Sequence, residues 1–256
     1  MLRPRIIPCL LVRNKGLVKT VNFSQDKYVG DPLNAVKIFN EKEVDEIIVL
    51  DIDATSKGRE PSYKMIENLA AECRMPLCYG GGVKNVGQAL RILNLGVEKV
   101  AISAEAVRRP EIIQETSQQL GRQSVVVVAD VKKSFWGRKY EVWTHNASVN
   151  SKSDVADFIK KAEDFGAGEI IINSIDQDGL MHGYDIRLLE RVRDIVQVPL
   201  TFLGGAGKVE HIKEIIQKFG IVGAAAGSLF VFKGRYRAVL INYPDASDKE
   251  ALFSEQ

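Results

Sequence analysis

An internal repeat constrains the fold of this 256-residue chain more than any other feature. Three blocks in the first half match three blocks in the second half, and 123 residues separate the members of each pair. The pairs are EIIVLDID (46–53) with EIIINSID (169–176), MPLCYGGG (75–82) with VPLTFLGG (198–205), and KVAISAEAV (99–107) with VGAAAGSLF (222–230). One shared offset indicates a duplicated structural unit, so the fold should divide into two similar halves.

Short apolar runs rich in β-branched residues alternate with amphipathic segments along the whole chain. We predict strands at 5–11, 46–52, 76–80, 98–103, 124–130, 169–175, 199–204 and 222–226, and helices near 32–43, 61–73, 86–96, 109–119, 152–166, 185–196 and 208–219. Alternation of this kind predicts a parallel sheet, whose strands are apolar almost throughout because both of their faces are buried.

Two four-stranded halves can close on each other to form a barrel. The predicted fold is therefore α/β, a single (β/α)8 TIM barrel with an internal half-barrel duplication that occupies residues 1–256. An open doubly wound sheet is the alternative. The tail from about residue 245 to 256 follows the last predicted strand and is expected to be flexible.

Composition excludes several classes of function. The net charge is +2 and no long basic run is present, so neither a nucleic acid nor a membrane is an expected partner. No apolar stretch reaches the roughly 18 residues that a spanning helix needs, and the N-terminus lacks a signal core. The three cysteines, Cys9, Cys73 and Cys78, are too scattered for disulfides or a metal site. We expect a cytoplasmic protein with free thiols, no metal and no cofactor.

Glycine-rich turns follow the last two predicted strands. In such barrels the active site lies at the carboxyl ends of the strands, and phosphate groups often bind after strands seven and eight. Glycine lets the backbone approach an anion closely. The phosphate-binding candidates are Gly205, Gly227 and Ser228, with Gly179 from the loop after strand six. The alternative is that these glycines only form tight turns.

The repeat places a second half-site for phosphate in the first half of the chain. Gly82 and Ser103 are its candidates. Ala104 offers only its backbone there, so this half-site is expected to be the weaker one.

Carboxylates end several predicted strands. Asp51 ends strand two, Asp130 ends strand five, and Asp176 and Asp178 follow strand six. Carboxylates crowded over a pocket are candidates for general acid and base catalysis, although each could instead cap a helix or pair with a lysine. The repeat aligns IIPCLL with VVVVAD, so Leu11 occupies the position that corresponds to Asp130. A leucine there can neither donate nor accept a proton.

Several motifs together resemble one known family. RIIPCL, VKTVNF, LDI, GGG, GAGEI, SIDQDG and GGAGK are similar to the cyclase subunit, the HisF family, of imidazole glycerol phosphate synthase, and the resemblance extends to about residue 232. It implies a TIM barrel that receives ammonia from a glutaminase (HisH-like) partner. In that family the ammonia reacts with a bisphosphate substrate to give imidazole glycerol phosphate and a ribonucleotide.

The resemblance also implies roles for residues. Asp130 matches one of the family's two catalytic aspartates, whereas Leu11 stands in the place of the other. Asp178 matches a further active-site aspartate, and Lys19 a substrate-binding lysine of the mobile first loop. In the weaker half-site the family has Asn-Thr where this chain has Ser103 and Ala104. Both departures fall on catalysis and substrate binding.

Four charged residues at strand starts resemble the family's gate for ammonia at the base of the barrel. They are Arg5, Glu46, Lys99 and Glu169. Charged residues at this end of a barrel commonly serve stability alone, which is the alternative. Burying alternating charges around one axis is a costly way to fill a core, and this favours a gate.

A paralogous HisF-like branch (WbuZ type) is more similar still, through CLL at the end of strand one, LVKTV (17–21) and GSLFVF (227–232). Its members are associated with a glutaminase-like subunit and an N-acetyl sugar amidotransferase in surface-polysaccharide synthesis. The leading hypothesis is an ammonia-conducting barrel without cyclase activity. The alternatives are a working cyclase of histidine biosynthesis, in which Asp130 acts with Asp178 or Asp51, and a phosphosugar isomerase on the same barrel.

Overall fold

The structure is a computed structural model that describes residues 3–134, 137 and 139–253. Its centre is a closed barrel of eight parallel strands: β1 (Arg5–Arg13), β2 (Ile47–Asp51), β3 (Leu77–Gly80), β4 (Lys99–Ile102), β5 (Val125–Lys133), β6 (Glu169–Ser174), β7 (Leu200–Leu203) and β8 (Gly223–Ala226). Each strand pairs with the next one along the chain, and β8 pairs with β1. The predicted (β/α)8 barrel is confirmed, and the open sheet is excluded.

Helices surround the barrel. They are α1 (Pro32–Glu41), α2 (Tyr63–Glu72), α3 (Val86–Asn94), α4 (Ala104–Arg108), α5 (Glu111–Leu120), α6 (Val155–Asp164), α7 (Ile186–Arg193), α8 (Val209–Phe219), α9 (Ser228–Val231) and α10 (Ala246–Phe253). The seven predicted helices are present as α1, α2, α3, α5, α6, α7 and α8, whereas α4, α9 and α10 were not predicted. Several begin at side-chain caps, such as Asp31, which accepts a hydrogen bond from the backbone of Asn34 at 2.9 Å. Within the described ranges, no helix is both long and apolar enough to cross a membrane.

The tail after the barrel contains helix α10. Leu252 of this helix is buried, and Lys249 donates to the Asp45 carboxylate at 3.0 Å. Residues 254–256, the end of the tail expected to be flexible, lie outside the described residues. Flexibility of this tail stays a prediction.

Two antiparallel hairpins follow β1 and β5, which are equivalent strands of the two halves. The sequence patterns did not predict these hairpins. The first hairpin is formed by Gly16–Val21 and Ser24–Gly30 and extends β1. The second hairpin is formed by Tyr140–Thr144 and Val149–Asp154 and extends β5. Both strands are therefore longer than predicted, and both hairpins stand over the carboxyl ends of the barrel strands.

The barrel interior is apolar along its axis. The side chains that fill it are Ile7, Cys9, Ile48, Cys78, Ala101, Val126, Val128, Ile171, Leu203 and Ala225, with Leu11 and Leu50 packed against them nearer the mouth. The three cysteines are free thiols, and burial raises the pKa of Cys9 to about 12. A larger apolar layer between the strands and the surrounding helices completes the core.

Candidate functional site

A cavity of about 660 Å³ opens at the carboxyl ends of the barrel strands. Of the mouth residues singled out from the sequence, all but Asp176 line it: Leu11, Lys19, Asp51, Gly82, Ser103, Asp130, Asp178, Gly179, Gly205, Gly227 and Ser228. The structure therefore brings residues from both halves of the repeat into one site. Their assignments to catalysis and phosphate binding stay predictions.

Asp130 has an unusual acidity for a carboxyl group. Burial raises the pKa of its carboxyl to about 7, although hydrogen bonds from Asn173 and Ser103 oppose the shift. Asn173 Nδ2 donates to Asp130 Oδ1 at 2.8 Å, and Ser103 Oγ lies 3.4 Å from Oδ2. A carboxyl group with this pKa can both accept and donate a proton near neutral pH, as a general acid or base must.

Sequence reasoning missed Asn173. Its Oδ1 atom is buried and has no hydrogen-bond partner within the part of the chain that the structure describes. An unpaired buried acceptor is costly, so this oxygen is suited to an N–H group of a ligand. A polar residue inside the apolar run EIIINS was the available indication.

The opposite side of the mouth carries no carboxylate at the end of β1. Leu11 of β1 is in register with Leu50 of β2. At the equivalent place in the second half, Asp130 of β5 is in register with Asn173 of β6. The duplicated backbone thus presents an apolar pair in one half and a polar pair in the other.

Asp178 holds the first hairpin in place. Its Oδ2 atom accepts hydrogen bonds from Thr20 Oγ1 at 2.6 Å and from the backbone N–H of Phe23 at 3.2 Å. The backbone N–H of Asn22 donates to the Asp178 carbonyl oxygen at 2.9 Å. Burial raises the pKa of Asp178. The Oδ2 atom of Asp178 is therefore already engaged in hydrogen bonds that hold the hairpin.

Lys19 lies on the first hairpin and lines the cavity. The side chain is buried, and its Nζ donates to the Cys9 carbonyl oxygen at 2.5 Å. Burial lowers its pKa. A Cβ atom on Gly227 would lie only 2.4 Å from Nζ, so the glycine leaves room for the ammonium group. Among the described residues, Lys19 forms no ion pair with a carboxylate.

Asp51 caps the turn that follows β2. Its Oδ1 atom accepts hydrogen bonds from the backbone N–H groups of Asp53 at 3.0 Å and Ala54 at 3.1 Å. Burial raises its pKa despite these contacts. Asp176 turns away from the cavity and accepts from the backbone of Lys133 at 2.8 Å. Asp130 differs from Asp51, Asp176 and Asp178 in that both of its hydrogen-bond partners are barrel-mouth side chains, Asn173 and Ser103, and not backbone N–H groups of a loop.

Two candidate phosphate glycines are also required by close packing of the chain. Gly205 has φ 106°, and a Cβ atom there would lie 2.0 Å from the Gly183 carbonyl oxygen. Gly179 has φ 71°, and its Cβ would lie 2.1 Å from the Thr20 carbonyl oxygen. The tight-turn alternative therefore accounts for these two glycines, and phosphate binding by them is an additional prediction.

Four charges form a closed ring at the opposite end of the barrel. Lys99 Nζ lies 2.7 Å from Glu46 Oε1 and 2.8 Å from Glu169 Oε2. Arg5 contacts Glu46 Oε2 and lies 2.8 Å from Glu169 Oε1. Burial alone would raise the pKa of Glu169, but the two cations outweigh it and hold that pKa below its ordinary value. The predicted gate residues are adjacent to one another, and the apolar axis begins directly above them.

Duplicated halves, an acid-containing mouth at the strand ends and a charged ring at the base define a (β/α)8 barrel of the kind that carries enzyme sites. The family model described as "Histidine biosynthesis protein" matches residues 5–237. The chain belongs to this family and, within it, to the HisF family of imidazole glycerol phosphate synthase subunits.

Similar curated proteins cover nearly the whole chain. A relative from Leptospira interrogans, provisionally named imidazole glycerol phosphate synthase subunit HisF, is 57% identical over 253 residues, which are 99% of this chain and 100% of the relative. A relative from Vibrio vulnificus, provisionally named subunit hisF3, is 56% identical over 98% of this chain and 96% of the relative. One from Pseudomonas aeruginosa, provisionally named subunit hisF2, is 47% identical over 96% of this chain and 98% of the relative.

Proposed function

We propose that the chain is the barrel subunit of a glutamine amidotransferase complex and conducts ammonia without performing cyclase chemistry. A glutaminase subunit of the HisH type would bind the face that carries the charged ring. An N-acetyl sugar amidotransferase of acetamidino-sugar synthesis would receive the ammonia at the mouth. Names of relatives that describe a synthase subunit, and in two cases a numbered one, support an assembly with partners.

The pairing of Leu11 with Leu50 at the mouth is the observation that carries this proposal. A cyclase of this family is expected to use two aspartates, and only Asp130 is present at the two equivalent strand ends. The ring at the base, by contrast, contains all four of its charged residues. The route for ammonia is thus better preserved than the groups for proton transfer.

The apolar axis suits neutral ammonia. Ammonium entering the barrel would lose its hydration without gaining a counter-ion, whereas neutral ammonia pays a much smaller penalty. At the upper end, the free Oδ1 acceptor of Asn173 and the carboxyl of Asp130 can receive N–H groups. Asp130 has a pKa of about 7, so it can also exchange a proton with the arriving ammonia.

A working cyclase is the second candidate function. The pKa of Asp130 and the presence of Lys19 and Asp178 in the same cavity favour it. In this case the chain would convert the bisphosphate substrate and ammonia to imidazole glycerol phosphate and AICAR. The missing proton-transfer group would have to be supplied by Asp178 or Asp51, whose carboxylates also hold loops.

The ring provides the test of ammonia transfer. We expect Lys99→Ala to keep the fold and lower its stability by about 3 kcal/mol, the low end of the cost of breaking a buried ion pair, since both glutamates retain Arg5 as a partner. In a complex reconstituted with the glutaminase and the acceptor enzyme, glutamate release should continue, whereas modified acceptor per glutamate should fall roughly fivefold, within the usual range of coupling energies. Added ammonium should still support acceptor modification.

Lys64→Ala is the matched control, because Lys64 is exposed and pairs with Glu67 on the outside of α2. This variant should leave the ratio of acceptor product to glutamate unchanged. If Lys99→Ala behaves like Lys64→Ala, the ring is structural and the proposal is wrong.

A further inference from the structure

The two glutamates of the ring are held differently. Glu169 Oε1 accepts a hydrogen bond from Thr201 Oγ1 at 2.6 Å in addition to its contacts with the two cations. Thr201 lies on β7 and is completely buried. In the part of the chain that the structure describes, Glu46 accepts side-chain hydrogen bonds from Arg5 and Lys99 only. Glu169 therefore has a third anchor that Glu46 lacks.

The internal repeat shows where this difference originates. Cys78 on β3 is the repeat counterpart of Thr201, 123 residues earlier. The two occupy the same register, because Cys78 pairs with Ile48 and Thr201 pairs with Ile171. A thiol is a weak donor, and no hydrogen bond between Cys78 and Glu46 is present among the described residues. One half of the ring thus carries a hydroxyl anchor, and the other half does not.

The neighbouring strand makes room for the anchor. A Cβ atom on Gly223 of β8 would lie 2.1 Å from Thr201 Oγ1 and 3.1 Å from Ile7 Cδ1. Arg5 Nη2 also lies 3.3 Å from the same hydroxyl, so Thr201 contacts both a cation and an anion of the ring. The hydroxyl is consequently enclosed on several sides and has one favourable orientation, towards Glu169.

We propose that Thr201 is a positioning residue that fixes Glu169 as the stationary side of the gate, so that the ring opens at Glu46. This inference rests on the proposed transfer of ammonia through the ring. Moving Glu46 separates it from two cations. Moving Glu169 breaks contacts with the same two cations and also a buried hydrogen bond to a charged group, which is among the stronger kinds.

Replacing Thr201 by Val removes the hydroxyl and keeps the shape of the side chain. In the complex with the glutaminase and the acceptor enzyme, we would measure glutamate, acceptor product and ammonium released into solution. Thr201→Val should raise the released ammonium per glutamate about three- to tenfold, as expected from the usual net contribution of one hydrogen bond. Thr201→Ser retains a hydroxyl and should keep the released ammonium per glutamate close to the wild-type value.

Thr116→Val is the matched control. Thr116 is completely buried on α5, and its hydroxyl has no partner within the described residues, so the same exchange should not change ammonium release. Cys78→Thr is the reciprocal variant. It should give Glu46 an equivalent anchor and slow glutamate formation and acceptor modification together, without raising the released ammonium per glutamate.

The pH dependence of coupling, meaning the acceptor product formed per glutamate, distinguishes an anchoring role of Thr201 from a general packing role. The pKa of Glu169 is held low, so coupling that needs its charge is present above that pKa and lost as the pH falls through it. A hydrogen bond to the charged form lowers a pKa, so Thr201→Val should raise the pKa of Glu169. Coupling should then be lost at a higher pH in the Val variant than in the wild type.

Thr201→Ala serves if the Val variant does not fold, because it removes the hydroxyl without adding an apolar atom. A hydroxyl-free variant that matches Thr116→Val in ammonium release and in pH profile would overturn the inference. A wild-type complex that delivers no glutamine-derived nitrogen to the acceptor would overturn the proposed function instead, and the two failures are therefore distinguishable.

Discussion

The two half-barrels present different chemistry at equivalent places in the mouth. Leu11 and Leu50 are in register in the first half, and Asp130 and Asn173 are in register in the second. The duplicated backbone fixes where these side chains lie but does not determine whether they can move protons. Function in such barrels therefore has to be argued from the site and not from the fold.

The base of the barrel shows less divergence between the halves. Glu46 and Glu169 occupy equivalent repeat positions, and both contact the same two cations, Arg5 and Lys99. The halves agree in the carboxylates that close the ring and differ in the groups that would perform chemistry at the mouth. This contrast is what an ammonia conduit without cyclase activity would produce.

The largest expected effect comes from making the first half of the mouth resemble the second. Loss of a general acid or base typically costs about 10²–10⁴ in rate, so the wild-type chain should show at least about 10²-fold less ammonia-dependent cyclase turnover than a relative with both aspartates. Leu11→Asp should raise this turnover about tenfold or more. The measurement is product formation from the bisphosphate substrate with added ammonium.

Leu11→Asn controls for the polarity of the new side chain, because an amide cannot exchange protons in the same way. It should leave turnover at the wild-type level. A wild-type rate within about tenfold of a two-aspartate cyclase would contradict the comparison, since Leu11 would then not limit the chemistry.

A smaller effect is expected from removing the charge in the second half. The pKa of Asp130 is raised to about 7 in the folded protein, so its ionised form destabilises the fold. The penalty is absent below the unfolded pKa, grows as the pH rises, and is complete above about 7. The unfolding free energy of Asp130→Asn minus that of the wild type should therefore be about 1–3 kcal/mol larger at pH 8 than at pH 4.5, after allowing for water in the cavity.

Urea unfolding of both proteins at the two pH values measures this gain. Leu11→Asn introduces an amide in the other half and no titrating group at this position, so its stability relative to the wild type should be the same at both pH values. If the stability difference between Asp130→Asn and the wild type is the same at both pH values, the Asp130 carboxyl is well solvated and the two halves are electrostatically alike.

Much of the fold could be predicted because parallel strands leave a strong sequence pattern. All eight barrel strands are apolar runs, as burial on both faces requires. The hairpins gave no such pattern. The strand Ser24–Gly30 is largely exposed and polar, and it is held by pairing with Gly16–Val21, whose Thr20 donates to Asp178. Thr20 and Asp178 are 158 residues apart, so no local pattern indicates their contact.

The site could be predicted in position but less well in detail. Strand-end carboxylates and glycines were found because parallel strands bring their carboxyl ends to one edge. Asn173 and Thr201 were missed because each is a single polar residue inside an apolar run. Their importance depends on what they face across the barrel, Asp130 in one case and Glu169 in the other, and this becomes visible only in the closed structure.

The smallest expected effect is a difference in anion binding between the two halves of the mouth. On the second-half side, the Lys19 Nζ lies beside Gly227 and forms no ion pair with a carboxylate among the described residues. On the first-half side, the Gly82 N–H already donates to Thr55 Oγ1 at 3.3 Å, and Ala104 has no hydroxyl. A buried cation attracts phosphate more strongly than neutral donors do.

In crystals soaked at stepped concentrations of inorganic phosphate, the Gly205–Gly227–Ser228 site should fill at about tenfold lower concentration than the Gly82–Ser103 site, a difference of about 1.4 kcal/mol. Lys19→Met should remove most of this preference, whereas Ser103→Ala should leave it intact. Equal filling of both sites in the wild type would show that the halves differ in proton transfer alone.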